Sequence, residues 1–287
     1  MHATDNIDRR RLIGTAAAAG VAVACGALLP DSAAAAPFSS NRMSVEVRGT
    51  GPDVILIHGL GGSRSVWDGL VAAVPGHRYH RVQINGFGGT APGANADGPV
   101  AGPVAAEIAR YIQVQRLVQP AVIGHSMGGI IGLMLATRVP AAVGRLMVVD
   151  ILPAPATGYG FASGGSNGLF DRLREQFTAT PGGRQMFGQL MSRFGMGATN
   201  PDVTANALHE LATTDLGPQL SRLRSPLTVV YAAPPRDEAD PRGLGRTYAA
   251  AYARAPDRRL VPVEGAGHMV MLDRPREFAV AVRGFLA

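Results

Sequence analysis

The sequence predicts an α/β protein built on a mostly parallel, twisted sheet flanked by helices, with one inserted helical lid. Three observations carry this. Short apolar runs alternate with helix-period segments along most of the chain. A long interval between Asp150 and Leu227 breaks that rhythm and holds no convincing strand. The 287 residues, 46% of them hydrophobic, suffice to bury one large core.

The chain opens on an address label. Asp8-Arg9-Arg10-Arg11-Leu12-Ile13 starts an Ala/Gly-rich apolar stretch ending at Leu29, and Ala33-Ala34-Ala35 supplies a small-x-small cleavage pattern ahead of Ala36. Residues 1–35 thus resemble a twin-arginine export signal, which implies a periplasmic or secreted protein. A retained anchor is the competing reading, but Ala and Gly stand where a membrane span favours Leu and Ile. No stable membrane insertion is expected after removal of the signal. The one cysteine, Cys25, falls inside this segment, and Ala22-Val23-Ala24 before it lacks the leucine of a lipoprotein box. A mature chain without cysteine excludes disulfides, thiolate catalysis and thiolate-held metals.

The formal charge is +6, and every basic residue is arginine. The arginines are scattered rather than gathered into a stripe with interleaved aromatics, so a nucleic-acid partner is not expected.

After a polar linker, residues 36–42, the first part of the core covers residues 43–153. Strands are expected over 44–47, 54–58, 81–84, 121–125 and 146–150. Helices are expected over 104–115 and 127–138, the second stopped by Pro140. The lid, residues 154–224, begins with GYGFASGGSNG and continues in helix-like segments carrying Phe170, Phe177, Met186, Phe187, Met191, Phe194 and Met196. Such an insertion covers the carboxyl edge of an open α/β sheet, where ligands bind. The second part of the core, residues 225–287, contains expected strands 227–232 and 260–263 and a closing helix from about Pro275, with Asp273 ahead of it as a possible cap.

Two stretches fit the pattern G-x-S-x-G, which 37 glycines and a dozen serines would produce by chance about a fifth of the time. Context separates them. Gly164-Gly165-Ser166-Asn167-Gly168 has no strand before it and no helix directly after it. Gly124-His125-Ser126-Met127-Gly128-Gly129 follows the strand AVI and opens the helix IIGLMLATR, the strand-turn-helix setting that exposes a nucleophile on a tight turn. A serine hydroxyl needs a base. His268, in the glycine turn Gly265-Ala266-Gly267-His268 after the strand LVPV, is the candidate. His125 is expected to support the serine turn, and His77, His80 and His209 to be surface or packing residues. A tetrahedral intermediate also needs two backbone donors. Met127, next to the serine, offers one N–H, and Leu60, after the strand that ends in His58-Gly59, offers the other.

Together HGLGG, GHSMGG and GAGH, in this order, resemble the α/β-hydrolase fold family over about residues 43–287. INGFGGTAPGANADGPV, TTDLGPQLSRLRSPLTVVYA and HMVMLDRPREF further resemble a narrower group of exported bacterial α/β-hydrolases. The resemblance implies a Ser126 acyl-enzyme, His268 as base and then acid, and an oxyanion hole from the Leu60 and Met127 amides. It also implies an acid following the strand 227–232, where this chain has Pro234. Three aspartates compete for that role: Asp150, at the end of the strand after the nucleophile helix; Asp237, a few residues past Pro234; and Asp240, farther along.

The reading that follows is a serine hydrolase cleaving an ester of a small to medium apolar acyl compound, with no cofactor and no metal. The Phe/Met-rich lid suits an apolar small-molecule substrate. Two alternatives stand beside it: a carbon-carbon bond hydrolase of a diketone-like compound, a branch that also favours Ser-Met-Gly-Gly, and a non-catalytic ligand-binding protein on the same fold. Reactions that use an aspartate nucleophile are excluded by Ser126.

Overall fold

Val, Ile and Leu runs that alternate between two faces form a sheet buried on both sides. In the computed structural model, which describes residues 38–158, 199–235 and 243–287, seven strands are joined in the order β1-β3-β2-β4-β5-β6-β7. They are β1 (Met43–Arg48), β2 (Asp53–Ile57), β3 (Arg78–Ile84), β4 (Ala121–His125), β5 (Arg145–Val149), β6 (Leu227–Ala233) and β7 (Arg258–Glu264). Only β1 is antiparallel, pairing Met43 with Ile84; every other pairing is parallel. All seven expected strands are present. The third starts at Arg78 rather than Arg81, so His80 lies inside it.

Along β2, β4 and β5 the side chains alternate between two cores. Ile55, Ile57, Val122, Leu146 and Val148 join one cluster; Val54, Leu56, Ile123, Met147 and Val149 join the other. On the first face lie α2 (Ala101–Val114) and α3 (Met127–Arg138). Almost every residue of α3 is buried, as expected of a helix apolar all round. On the second face α1 (Asp68–Ala73) meets the C-terminal helices, with Trp67 stacked on Phe278 at 6.3 Å.

After β5 come α4 (Pro155–Gly158) and α5 (Pro201–Thr213). Asn200 caps α5 by accepting from the amides of Asp202 and Val203, each at 3.1 Å. From α5, Glu210 reaches the start of α2, where its carboxylate accepts from the amides of Val100, Ala101 and Gly102 at 2.6–2.8 Å. The expected aromatic and methionine residues of the lid, the second G-x-S-x-G and the export signal lie outside the described residues. The last helices are α6 (Leu244–Ala251), α7 (Val270–Asp273) and α8 (Pro275–Leu286). No helix among the described residues is long and apolar enough to cross a membrane.

Asp273, read from sequence as a cap for the closing helix, ends α7 instead, and the residue before α8 is Arg274. Its carboxylate turns back and accepts the Gly267 amide at 2.9 Å. Arg274 in turn donates from Nε to the Gly265 carbonyl at 3.1 Å. Both hold the turn that carries His268.

Candidate active site

Parallel pairing brings the carboxyl ends of β4, β5 and β6 side by side: His125 is in register with Val149, and Val149 with Val230. The residues that follow β4 and β5 are Ser126 and Asp150. Both have φ of +52°, in the left-handed region that residues with a Cβ rarely enter. A conformation costing about 1–3 kcal/mol persists only where the surroundings enforce it. Here the Ser126 amide bonds to the Val149 carbonyl and the Asp150 amide to the Val230 carbonyl, each at 2.8 Å.

The turn at Ser126 depends on missing side chains. A Cβ on Gly124 would stand 2.1 Å from the Gly128 carbonyl oxygen, and one on Gly128 would stand 2.2 Å from that of Ile57. Strand, turn and helix therefore pack backbone to backbone. Ser126 is 9% exposed and precedes the amino end of α3, so the Met127 amide belongs to the helix's positive end. Gly59 opposes it: a Cβ there would meet the Ser126 Cβ at 3.1 Å and His125 Nδ1 at 2.8 Å. Leu60, the other oxyanion candidate, directly follows Gly59, in a turn closed by the Gly62 amide on the Gly59 carbonyl at 3.1 Å.

His268 Nδ1 donates to Asp150 Oδ2 at 2.8 Å. That bond fixes the tautomer and leaves Nε2 as the nitrogen able to take a proton. The other carboxylate oxygen, Oδ1, accepts the Ala232 amide at 2.9 Å and the Tyr248 hydroxyl at 3.1 Å. Asp237 and Asp240, the rival acids, lie outside the described residues. The ring of His125 stands 4.7 Å from that of His268, and its Nε2 donates to the His268 carbonyl at 2.9 Å. Burial, with the neighbouring His268 in addition, pushes His125 down to about 3, so it stays neutral. His58 is held down to about 4 by burial; its Nδ1–H donates to the Gly59 carbonyl at 2.8 Å and its Nε2 accepts the Ile84 amide at 3.1 Å.

Sequence reasoning missed Tyr248, the Ala232 amide and Asp273. Tyr248 and Tyr252 are four apart in an Ala-rich helix, a spacing that puts both rings on one face, and that was the available signal. His80, read from sequence as a surface or packing residue, is buried between Tyr111, whose hydroxyl is 2.7 Å from Nδ1, and Asp53, 2.8 Å from Nε2. Among the described residues no group of three or more potential ligands could hold a metal ion.

A seven-stranded sheet between helical layers, with a strained serine elbow directly after β4 and a histidine-aspartate pair drawn from the residues beyond β7 and β5, defines a class. The chain belongs to the alpha/beta hydrolase family, whose sequence pattern it matches over residues 54–282. It is 28% identical over 254 residues to a pimeloyl-[acyl-carrier protein] methyl ester esterase of Aromatoleum aromaticum, covering 80% of this chain and 96% of that one. The enzyme of the same name from Aeromonas hydrophila is 26% identical over 266 residues, covering 85% and 99%. In fold it is similar to a hydrolase from Pseudomonas aeruginosa, with a TM-score of 0.68, 20% identity and coverage of 85% and 94%. A thermophilic esterase from Thermogutta terrifontis gives a TM-score of 0.66 at 20% identity, covering 85% and 92%.

Proposed function

We propose that this protein is a serine carboxylesterase acting on a small to medium apolar acyl ester. The observation that carries the reading is the 2.8 Å bond from His268 to Asp150 at a sheet edge where Ser126 holds a strained elbow. In the proposed reaction Ser126 Oγ attacks the ester carbonyl as His268 Nε2 takes its proton. Asp150 accepts the Nδ1–H throughout and stabilises the imidazolium. The Leu60 and Met127 amides receive the developing oxyanion. His268 then passes the proton to the departing alcohol, and a water deprotonated by the same nitrogen releases the acid and restores Ser126.

The curated relatives are named for a methyl ester on a pimeloyl chain, which favours an aliphatic acyl group and a small alcohol here. The leader pattern in residues 1–35 extends the proposal to export by a twin-arginine route, with a mature chain starting at Ala36.

The test is a panel of methyl and p-nitrophenyl esters with acyl chains from about two to about twelve carbons, alongside labelling by a fluorophosphonate. The expected result is turnover and labelling that Ser126→Ala abolishes. Labelling without turnover of any ester would instead favour carbon-carbon bond hydrolysis, and no labelling a ligand-binding protein. For export, N-terminal sequencing of protein recovered from outside the cytoplasm should begin at Ala36, and an Arg9→Lys/Arg10→Lys variant should stay inside.

A further inference from the structure

We propose that Tyr248 is a positioning residue for the catalytic acid, an inference that rests on the serine-hydrolase reading above. The carboxylate of Asp150 has a division of labour: Oδ2 takes the His268 imidazole, while Oδ1 takes the Ala232 amide and the Tyr248 hydroxyl. Rotation about the last bond of an aspartate is soft and roughly two-fold, so nothing within Asp150 itself selects which oxygen faces the histidine. The two donors on Oδ1 make that selection.

The tyrosine is itself fixed. Its side chain is buried at 5% exposure, and its ring stacks on Tyr231 of β6 at 4.5 Å with 19° between planes. One turn on, directly after α6, Tyr252 lies nearly parallel at 6.4 Å, and its hydroxyl donates to the carbonyl of Ile151 at 2.7 Å. The same helix face therefore holds the acid twice, through its carboxylate and through the backbone of the next residue. Tyr231 also precedes Ala232, so one ring of the stack and the amide donor share β6. The Asp150 side chain is 11% exposed against 45% for His268, so the carboxylate lies largely away from bulk water with Oδ1 held by two protein donors.

The experiment is a double-mutant cycle on a reactive p-nitrophenyl ester, using the full mature chain. Tyr248→Phe keeps the stacked ring and removes the hydroxyl. It should lower kcat about tenfold with KM within about twofold. In an Asp150→Asn background the same change should cost less than about twofold, because the carboxylate it orients is gone. A purely structural role would carry the same factor into both backgrounds, and that outcome overturns the proposal. So does a Tyr248→Phe enzyme with unchanged kcat. Replacing Tyr248 with para-aminophenylalanine, which keeps a donor at the same place, should restore most of the turnover; failure to do so in a folded protein also overturns it. If the wild-type chain is neither labelled by fluorophosphonate nor active, the hydrolase reading itself falls, a result distinct from an active enzyme indifferent to Tyr248.

Discussion

His125 and His268, 143 positions apart in sequence, are joined by a hydrogen bond from the His125 Nε2–H to the His268 carbonyl at 2.9 Å. The residue before the elbow serine thus holds the backbone of the proposed base. Because His125 is buried and neutral, it acts as a fixed donor rather than a second base. His125→Ala removes that donor and opens a cavity against Gly59. The expected loss is about 2–4 kcal/mol of stability and roughly tenfold in kcat. Urea unfolding and steady-state kinetics on one ester check both.

Acid should weaken the fold through buried histidines. His58 and His125 fall from the usual 6.5 to about 4 and about 3, in both cases chiefly through burial. Between those values and 6.5 the unfolded chain binds protons that the folded chain refuses, so stability is complete above the unfolded value and drains away as pH falls below it. At about 1.4 kcal/mol per unit, lowering the pH to 4.5 should remove roughly 3 kcal/mol for each histidine. The urea midpoint should fall accordingly, and the His125→Asn variant should show a shallower decline than the wild type.

Seven strands were legible because apolar runs such as DVILI and RLMVV are buried on both faces and carry no competing helical period. The serine, its glycines and His268 were legible because each stands at a fixed offset from a strand end. The partners of Asp150 were not: the Ala232 amide has no side-chain signature, and Tyr248 reaches the acid across 98 positions. Asp273 was misread for a related reason. Its place before Pro275 resembles a cap, yet its carboxylate serves an amide six residues earlier.

Glu210 should matter more to stability than a surface carboxylate would. The residue preceding α2 is Val100, which provides no side-chain cap, and Glu210 supplies one from 110 residues away through three amide bonds. Charge-assisted bonds at a helix's positive end are worth about 2 kcal/mol together. Glu210→Ala should cost that much, with Glu210→Gln intermediate because one acceptor survives. Urea midpoints of the three proteins at low and high salt provide the check, and the gap should narrow in salt.

The strongest contrast lies between Asp150 and Asp237, two of the three aspartates that the sequence left in competition. Asp150 carries a 2.8 Å bond to His268 and two donors on its other oxygen. Asp150→Asn preserves the shape but places an amide opposite the imidazole, which favours the tautomer with its proton on the wrong nitrogen. Turnover should fall by about a thousandfold or more, with KM little changed. Asp237→Asn should leave kcat within about twofold, because Asp150 already takes His268 Nδ1. Single-turnover release of p-nitrophenol measures acylation directly in both variants. A reversed ranking would move the acid to the loop after β6 and reduce the Asp150 pair to a support for the chain leaving β5.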